Sequence, residues 1–354
     1  MKRAPEPPAS DTTIICVFQA KGGVGKTTLC ANLARGLALR SHRVLLVDID
    51  GQQNLTQLFV HQEVERDFAG DYEAFWKSRN VGTIYHALQH VRETTHLPVL
   101  PPRPLEVSPS LFLLPGHSEV SEYGEHIRAA ELTMNAFPPN ANLPGAPTAI
   151  IRAVAKSVQA DFVVVDLNPA MSTLNRVIWW ESDYFLVPCM PNSFSYFAFE
   201  RLAVRLPEWA GLMMGYYPTT STARQSPITK SAPPRYLGAV CANVAADDAS
   251  PLLANIERAA LALGDNAFFI RLPPPAGEPD VSLYNPVIAR LLQVLREAPP
   301  KRARLEGVTT CGICKEPVSR DEMRVLATSN PIERFYVFCG RAQCREGIMT
   351  LKDR

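Results

Sequence analysis

Two lysines bracket three glycines in the run Lys21-Gly22-Gly23-Val24-Gly25-Lys26-Thr27-Thr28. Glycines without a Cβ let the backbone curl and turn its N–H groups toward one point, and a helix beginning there adds the positive end of its dipole. Such a bend suits a polyphosphate. Lys26 would reach the outer phosphates, the Thr27 hydroxyl would sit on Mg²⁺, and the backbone of Gly22, Gly23, Val24, Gly25 and Thr28 would line the cradle. The generic pattern places glycine where this chain has Ala20, and this chain adds Lys21 directly before the glycines.

Two further groups of residues carry chemistry. Asp48 and Asp50 follow one apolar run and Asp166 ends another, Phe162 to Val165, the arrangement in which a carboxylate holds Mg²⁺ through water. Near the C-terminus, Cys311 and Cys314 form one close pair and Cys339 and Cys344 another, with 24 residues between the pairs and no histidine among them. Two thiolate pairs suit one tetrahedral Zn²⁺. Four buried free thiols and a [4Fe–4S] cluster are the other readings of that spacing.

The elements that must position these groups alternate. Ile14 to Phe18 reads as a buried strand entering the glycine bend, and Leu29, Leu33 and Leu37, spaced four apart, read as the helix leaving it. Arg43 to Asp48, Leu111 to Leu114, Asp161 to Asp166, Tyr184 to Pro188, Leu237 to Asn243 and Phe268 to Ile270 read as strands. Helices are expected at 81–88, 149–158, from about Ser195, and at 287–296. Residues 59–147 carry few clear signals, 215–234 read as a surface loop, and Pro299 and Pro300 mark a linker. The aromatic group Trp179, Trp180, Phe194, Tyr196, Phe197 and Phe199 has few interleaved basic residues and reads as packing rather than base stacking. The expectation is an α/β fold with a mostly parallel sheet flanked by helices over 13–298. A flexible start occupies 1–12, a linker 299–308 and a small zinc-binding module 309–354.

Composition narrows the class. The 354 residues are 46% hydrophobic and 20% charged, ordinary for a globular protein, with a net charge of +1. From Val287 onward there are 13 Lys and Arg against 8 Asp and Glu, so the C-terminal part is basic and the remainder acidic. The first residues lack the apolar core of a signal peptide and no run approaches membrane-span length, so a cytoplasmic location is expected. Cys16, Cys30, Cys189 and Cys241 lie in apolar surroundings and read as buried thiols.

The second lysine of KGGVGKTT resembles the deviant Walker A motif of the ParA/MinD superfamily of P-loop ATPases, and the segment Asp48 to Thr56 resembles that family's second signature, with Gly51 in place of a proline and Gln53 in place of a glycine. The resemblance covers about 13–298. It implies an ATP-dependent homodimer in which Lys21 reaches the nucleotide of the other subunit, Asp50 orients the attacking water and Asp48 supports the Mg²⁺ shell. It also implies that Asn243 contacts adenine. Further implications are DNA partition or positioning with a ParB-like or other protein activator, and nonspecific DNA binding, for which Arg290, Arg296, Lys301, Arg302 and Arg304 are the candidates. Such DNA binding would place the protein on the nucleoid. A membrane cycle is disfavoured. The competing reading is a nucleotide-stabilised scaffold with little turnover whose zinc module binds nucleic acid or protein.

Overall fold

In the computed structural model the described residues are 12–297, apart from 98–99, 134–139, 141, 223–227, 231, 246 and 276–280, together with four short strands nearer the C-terminus. The centre is β1 (Thr13–Val17), all five of whose residues are buried. It lies between β5 (Phe162–Asp166) and β6 (Tyr184–Cys189), parallel to both. Outward on one side come β2 (Val44–Asp48), β4 (Leu111–Leu114) and β3 (Leu105–Ser108); on the other come β7 (Arg235–Cys241) and β8 (Phe268–Arg271). Only β3 of these eight runs antiparallel to its neighbour. The expected mostly parallel sheet is therefore observed.

Helices cover both faces, which is why the central strands are apolar without alternation. Side chains of β1 still divide by the period of two: Ile14 and Cys16 enter one core and Ile15 and Val17 the other. The second core is built by α1 (Lys26–Ala38) and α10 (Asn285–Glu297), with Leu29, Leu33 and Leu37 buried under Val287, Ile288 and Leu291. The first core receives α4 (Ile84–Thr94), α5 (Tyr123–Thr133), α6 (Ala146–Ser157), α7 (Thr173–Glu181), α8 (Ser193–Thr222) and α9 (Pro251–Leu261). Between β2 and α4 stand α2 (Asn54–Phe68) and α3 (Tyr72–Arg79), which close a small apolar cluster of Val60, Val64, Phe75 and Trp76. At Gly238, φ is +148° and an added Cβ would stand 2.1 Å from the Phe268 carbonyl oxygen, so the β7–β8 pairing requires glycine.

Three expectations are corrected. The segment 215–222 is not loop but the end of α8, a helix whose earlier turns bury Leu202, Leu206, Ala210 and Met213. The short helix expected at 81–88 runs instead from Ile84 to Thr94, started by the Thr83 side chain accepting the His86 amide. Strand β7 stops at Cys241, so Asn243 does not end it but occupies a left-handed turn beyond it, at φ +60°. The strand read at 335–338 is present as Phe335–Cys339, paired antiparallel with Met323–Ala327.

Candidate functional site

Register explains why the acids meet. Asp48 is the partner of Asp166 across β2 and β5, and Asp166 is the partner of Val17 across β5 and β1. Both carboxylates therefore emerge at the carboxyl edge of the parallel strands, beside the glycine bend that follows β1. Gly23 and Gly25 have φ of +69° and +83°, and a Cβ at either, or at Gly22, would meet no heavy atom within 4 Å. The bend is thus open on the side where those side chains would stand, at the N-terminus of α1. Val24 is buried and ties the bend to the core, while the Thr28 carbonyl receives the Asn32 side-chain amide at 2.8 Å.

Asp166 is 1% exposed, and its Oδ2 accepts the Thr27 hydroxyl at 2.7 Å. Its Oδ1 is buried with no hydrogen-bond partner. Burial, reinforced by the charge of Asp48, pushes the Asp166 carboxyl up to about 7. Lys26 is buried too, donates to the Lys21 carbonyl at 2.9 Å, and has its pKa lowered by burial while Asp166 and Asp50 oppose the shift. A buried orphan carboxylate oxygen beside a serviceable hydroxyl is a hard-oxygen donor pair of the kind Mg²⁺ takes. Thr27 and Asp166 fit that ion.

Asp48 is engaged differently. Its Oδ2 accepts both the amide and the hydroxyl of Thr56, at 2.8 and 2.7 Å, and its Oδ1 accepts the Asp50 amide at 3.0 Å. Burial raises it to about 6, with the Thr56 hydrogen bonds pulling the other way. Thr56 in turn accepts the Gly116 amide at 3.0 Å. Asp50, 8% exposed, accepts the Gln52 amide at 3.0 Å. A Cβ on Gly51 would approach the Ser118 carbonyl oxygen to 2.9 Å, the local reason this position holds glycine.

Lys21 Nζ donates to Asn192 Oδ1 at 3.1 Å and lies 5.0 Å from the centre of the Phe194 ring. Asn192 also receives the Ser195 amide at 3.1 Å, so Lys21 is tied to the turn before α8. The turn after β5 is held by Asn175, whose side-chain amide reaches the Asn168 and Ala170 carbonyls at 2.8 and 2.7 Å. Asn243 is exposed, with Nδ2 3.9 Å from Met190 Sδ.

Lys21, Lys26, Thr27, Asp48, Asp50 and Asp166 are thus gathered on one edge, while Asn243 stands in the turn beyond β7, a strand two places from β1. Thr56, Gly116 and Asn192 are partners that the linear chain does not announce. Trp179, Trp180 and Phe199 are buried, whereas Phe194 and Phe197 are 68% and 61% exposed. Cys16, Cys30, Cys189 and Cys241 are buried free thiols. Of the zinc-ligand candidates, Cys311, Cys314 and Cys344 lie outside the described residues, and only the strand of Cys339 is described. Arg290 is half-buried and donates to Gln293 at 2.8 Å; Arg296 is exposed on α10. Lys301, Arg302 and Arg304 lie outside the described residues. Among the described residues no helix is long and apolar enough to cross a membrane.

Fold and site together define an α/β protein of the P-loop nucleotide-binding class. A family model described as AAA domain matches residues 12–208, more than half of the chain, and the chain belongs to that family. It is 33% identical over 179 residues to a putative replication protein A of Rhizobium rhizogenes, covering 51% of this chain and 40% of that one. To the chromosome partitioning protein ParA of Myxococcus xanthus it is 31% identical over 193 residues, 54% of this chain and 55% of that one. The chain therefore spans about half the length of the curated relatives it matches. A crystal structure of a Corynebacterium diphtheriae protein superposes with a TM-score of 0.61 at 23% identity, over 80% of this chain and 99% of the other, a likeness of fold.

Proposed function

We propose that this protein is a ParA-like ATPase, an ATP-dependent dimeric switch working in DNA partition or positioning. The observation that carries the reading is the buried Asp166 carboxylate, one oxygen held by Thr27 and the other without a partner, set beside Lys26 on the glycine bend. The named relatives in replication and partition support the biological role.

In this reading the amides of Gly22 to Thr28 and the ammonium of Lys26 bind and orient the triphosphate, with Asn243 available to the adenine. Thr27 and Asp166 hold Mg²⁺, which would neutralise charge developing on the phosphate oxygens. Asp50 orients the attacking water, and Asp48, fixed by Thr56 and accepting the Asp50 amide, supports the Mg²⁺ shell. Lys21 leaves Asn192 and reaches the nucleotide of the second subunit. Phosphoryl transfer asks for positioning and charge neutralisation, and these groups supply both. A cation supplied across an interface is worth about 10³ to 10⁵ in rate in comparable systems. Arg290, Arg296, Lys301, Arg302 and Arg304 would bind DNA phosphates without reading sequence, and a ParB-like protein would act as activator. The cysteine tail would hold one Zn²⁺, a proposal resting on its spacing.

Turnover of wild type, Lys26→Ala and Asp50→Ala tests this. Loss of turnover in both variants, with nucleotide binding retained by Asp50→Ala, is the expected result. Equal turnover in all three would overturn the reading.

A further inference from the structure

Outside the nucleotide edge, Glu73 of α3, His86 of α4 and His117, in the segment after β4, converge on one point. One ligand atom from each lies within 4.8 Å of the others. Glu73 Oε1 stands 3.6 Å from His117 Nε2, and Glu73 Oε2 stands 3.9 Å from His86 Nε2. Both gaps are too wide for a hydrogen bond. They are close to the roughly 3.4 Å that separates neighbouring ligands around a tetrahedral ion with bonds of about 2.1 Å. The Glu73 and His86 side chains are 59% and 49% exposed, which leaves them room to close by a few tenths of an ångström.

The rings are already oriented. The Thr83 hydroxyl lies 3.0 Å from His86 Nδ1, leaving Nε2 turned to Glu73. His117 stacks on Tyr85 with ring centres 4.3 Å apart and planes 7° from parallel. Tyr85 is itself held by Glu119, to which its hydroxyl donates at 2.5 Å. Glu73, Glu119 and Glu122 place negative charge around His117, surroundings that suit a bound cation.

We propose that Glu73, His86 and His117 form a surface site for a divalent transition-metal ion of the Zn²⁺ type, joining α3 and α4 to the segment that follows β4. The donor set, two imidazoles and one carboxylate, selects such an ion over Mg²⁺. One hydrogen bond changes hands on binding. The Glu119 amide donates to His117 Nδ1 at 3.1 Å, so in the metal-free protein the ring proton is on Nε2. Ligation at Nε2 puts that proton on Nδ1, and the Glu119 amide gives up its acceptor. The site also lies one residue from Gly116, whose amide holds Thr56 and through it Asp48, so the ion would brace the segment behind the acids.

Co²⁺ titration of the full chain tests this, because thiolate ligands give intense charge-transfer bands and a nitrogen and oxygen set gives only weak visible bands. The expected result is one equivalent of cobalt without thiolate absorption, bound about tenfold or more weakly by His86→Ala, His117→Ala and Glu73→Gln. Nucleotide binding of the metal-free forms, read on the same samples, should match wild type, which shows that the variants are folded. Unchanged affinity in all three variants would overturn the proposal, as would thiolate absorption accompanying every bound equivalent.

Discussion

At Asp166 a proton and a metal ion compete for one carboxylate. Its pKa rises from the usual 3.8 to about 7. The folded metal-free protein therefore binds a proton that the unfolded chain releases. That contribution to stability is complete below about pH 4 and is lost as pH rises through 7. Melting in chelator should accordingly fall between pH 5 and 8, and Asp166→Asn should flatten part of that slope, Asp48 retaining the rest. Mg²⁺ takes the ionised form, so Mg²⁺-dependent nucleotide affinity should weaken up to about tenfold for each pH unit below 7. A pH-independent Mg²⁺ response would count against Asp166 as the holder of the ion. Lys26, Thr27 and Asp166 were legible in the chain because residue type and spacing are themselves the signal. Thr56 and Asn192 were not, since each matters through a partner at least eight residues away, joined only when the chain folds.

Between residue and molecule, α2 and the β7–β8 pair carry separable burdens. Thr56→Ala removes the hydroxyl bond to buried Asp48 and leaves the Gly116 amide without its acceptor. Urea unfolding near neutral pH should show a loss of about 1–3 kcal/mol. The Asp48 pKa should rise further, because the Thr56 bonds now hold it down. Gly238→Ala forces a Cβ against the backbone of Phe268, and the expected outcome is a loss of several kcal/mol or failure to fold, read by thermal melting. The buried strands were legible as apolar runs ending in acids or prolines. The region 59–147 was not, because α2 and α3 bury only a few side chains each and close a small cluster of their own, so their pattern is mostly polar. Helix α8 hid its length because its last turns read as polar and proline-containing in the sequence, while the apolar series that it buries lies earlier.

For the whole molecule, the account predicts an assembly that closes on ATP. Nonspecific DNA affinity should appear only with ATP and fall steeply between 50 and 200 mM salt, since each phosphate contact releases counterions. Filter binding or anisotropy with and without nucleotide checks this, and salt-insensitive binding would contradict it. The proposed placing of nucleotide at the glycine bend does not say which partner would read the closed state, since one fold serves many functions.

The central claim is that Lys21 acts across the interface, and mixing inactive subunits tests it most directly. Lys21→Ala and Asp50→Ala should each be inactive alone. Together they should recover about a quarter of wild-type turnover, because half of randomly paired dimers are mixed and each mixed dimer has one complete site. A mixture no more active than its components would contradict the account.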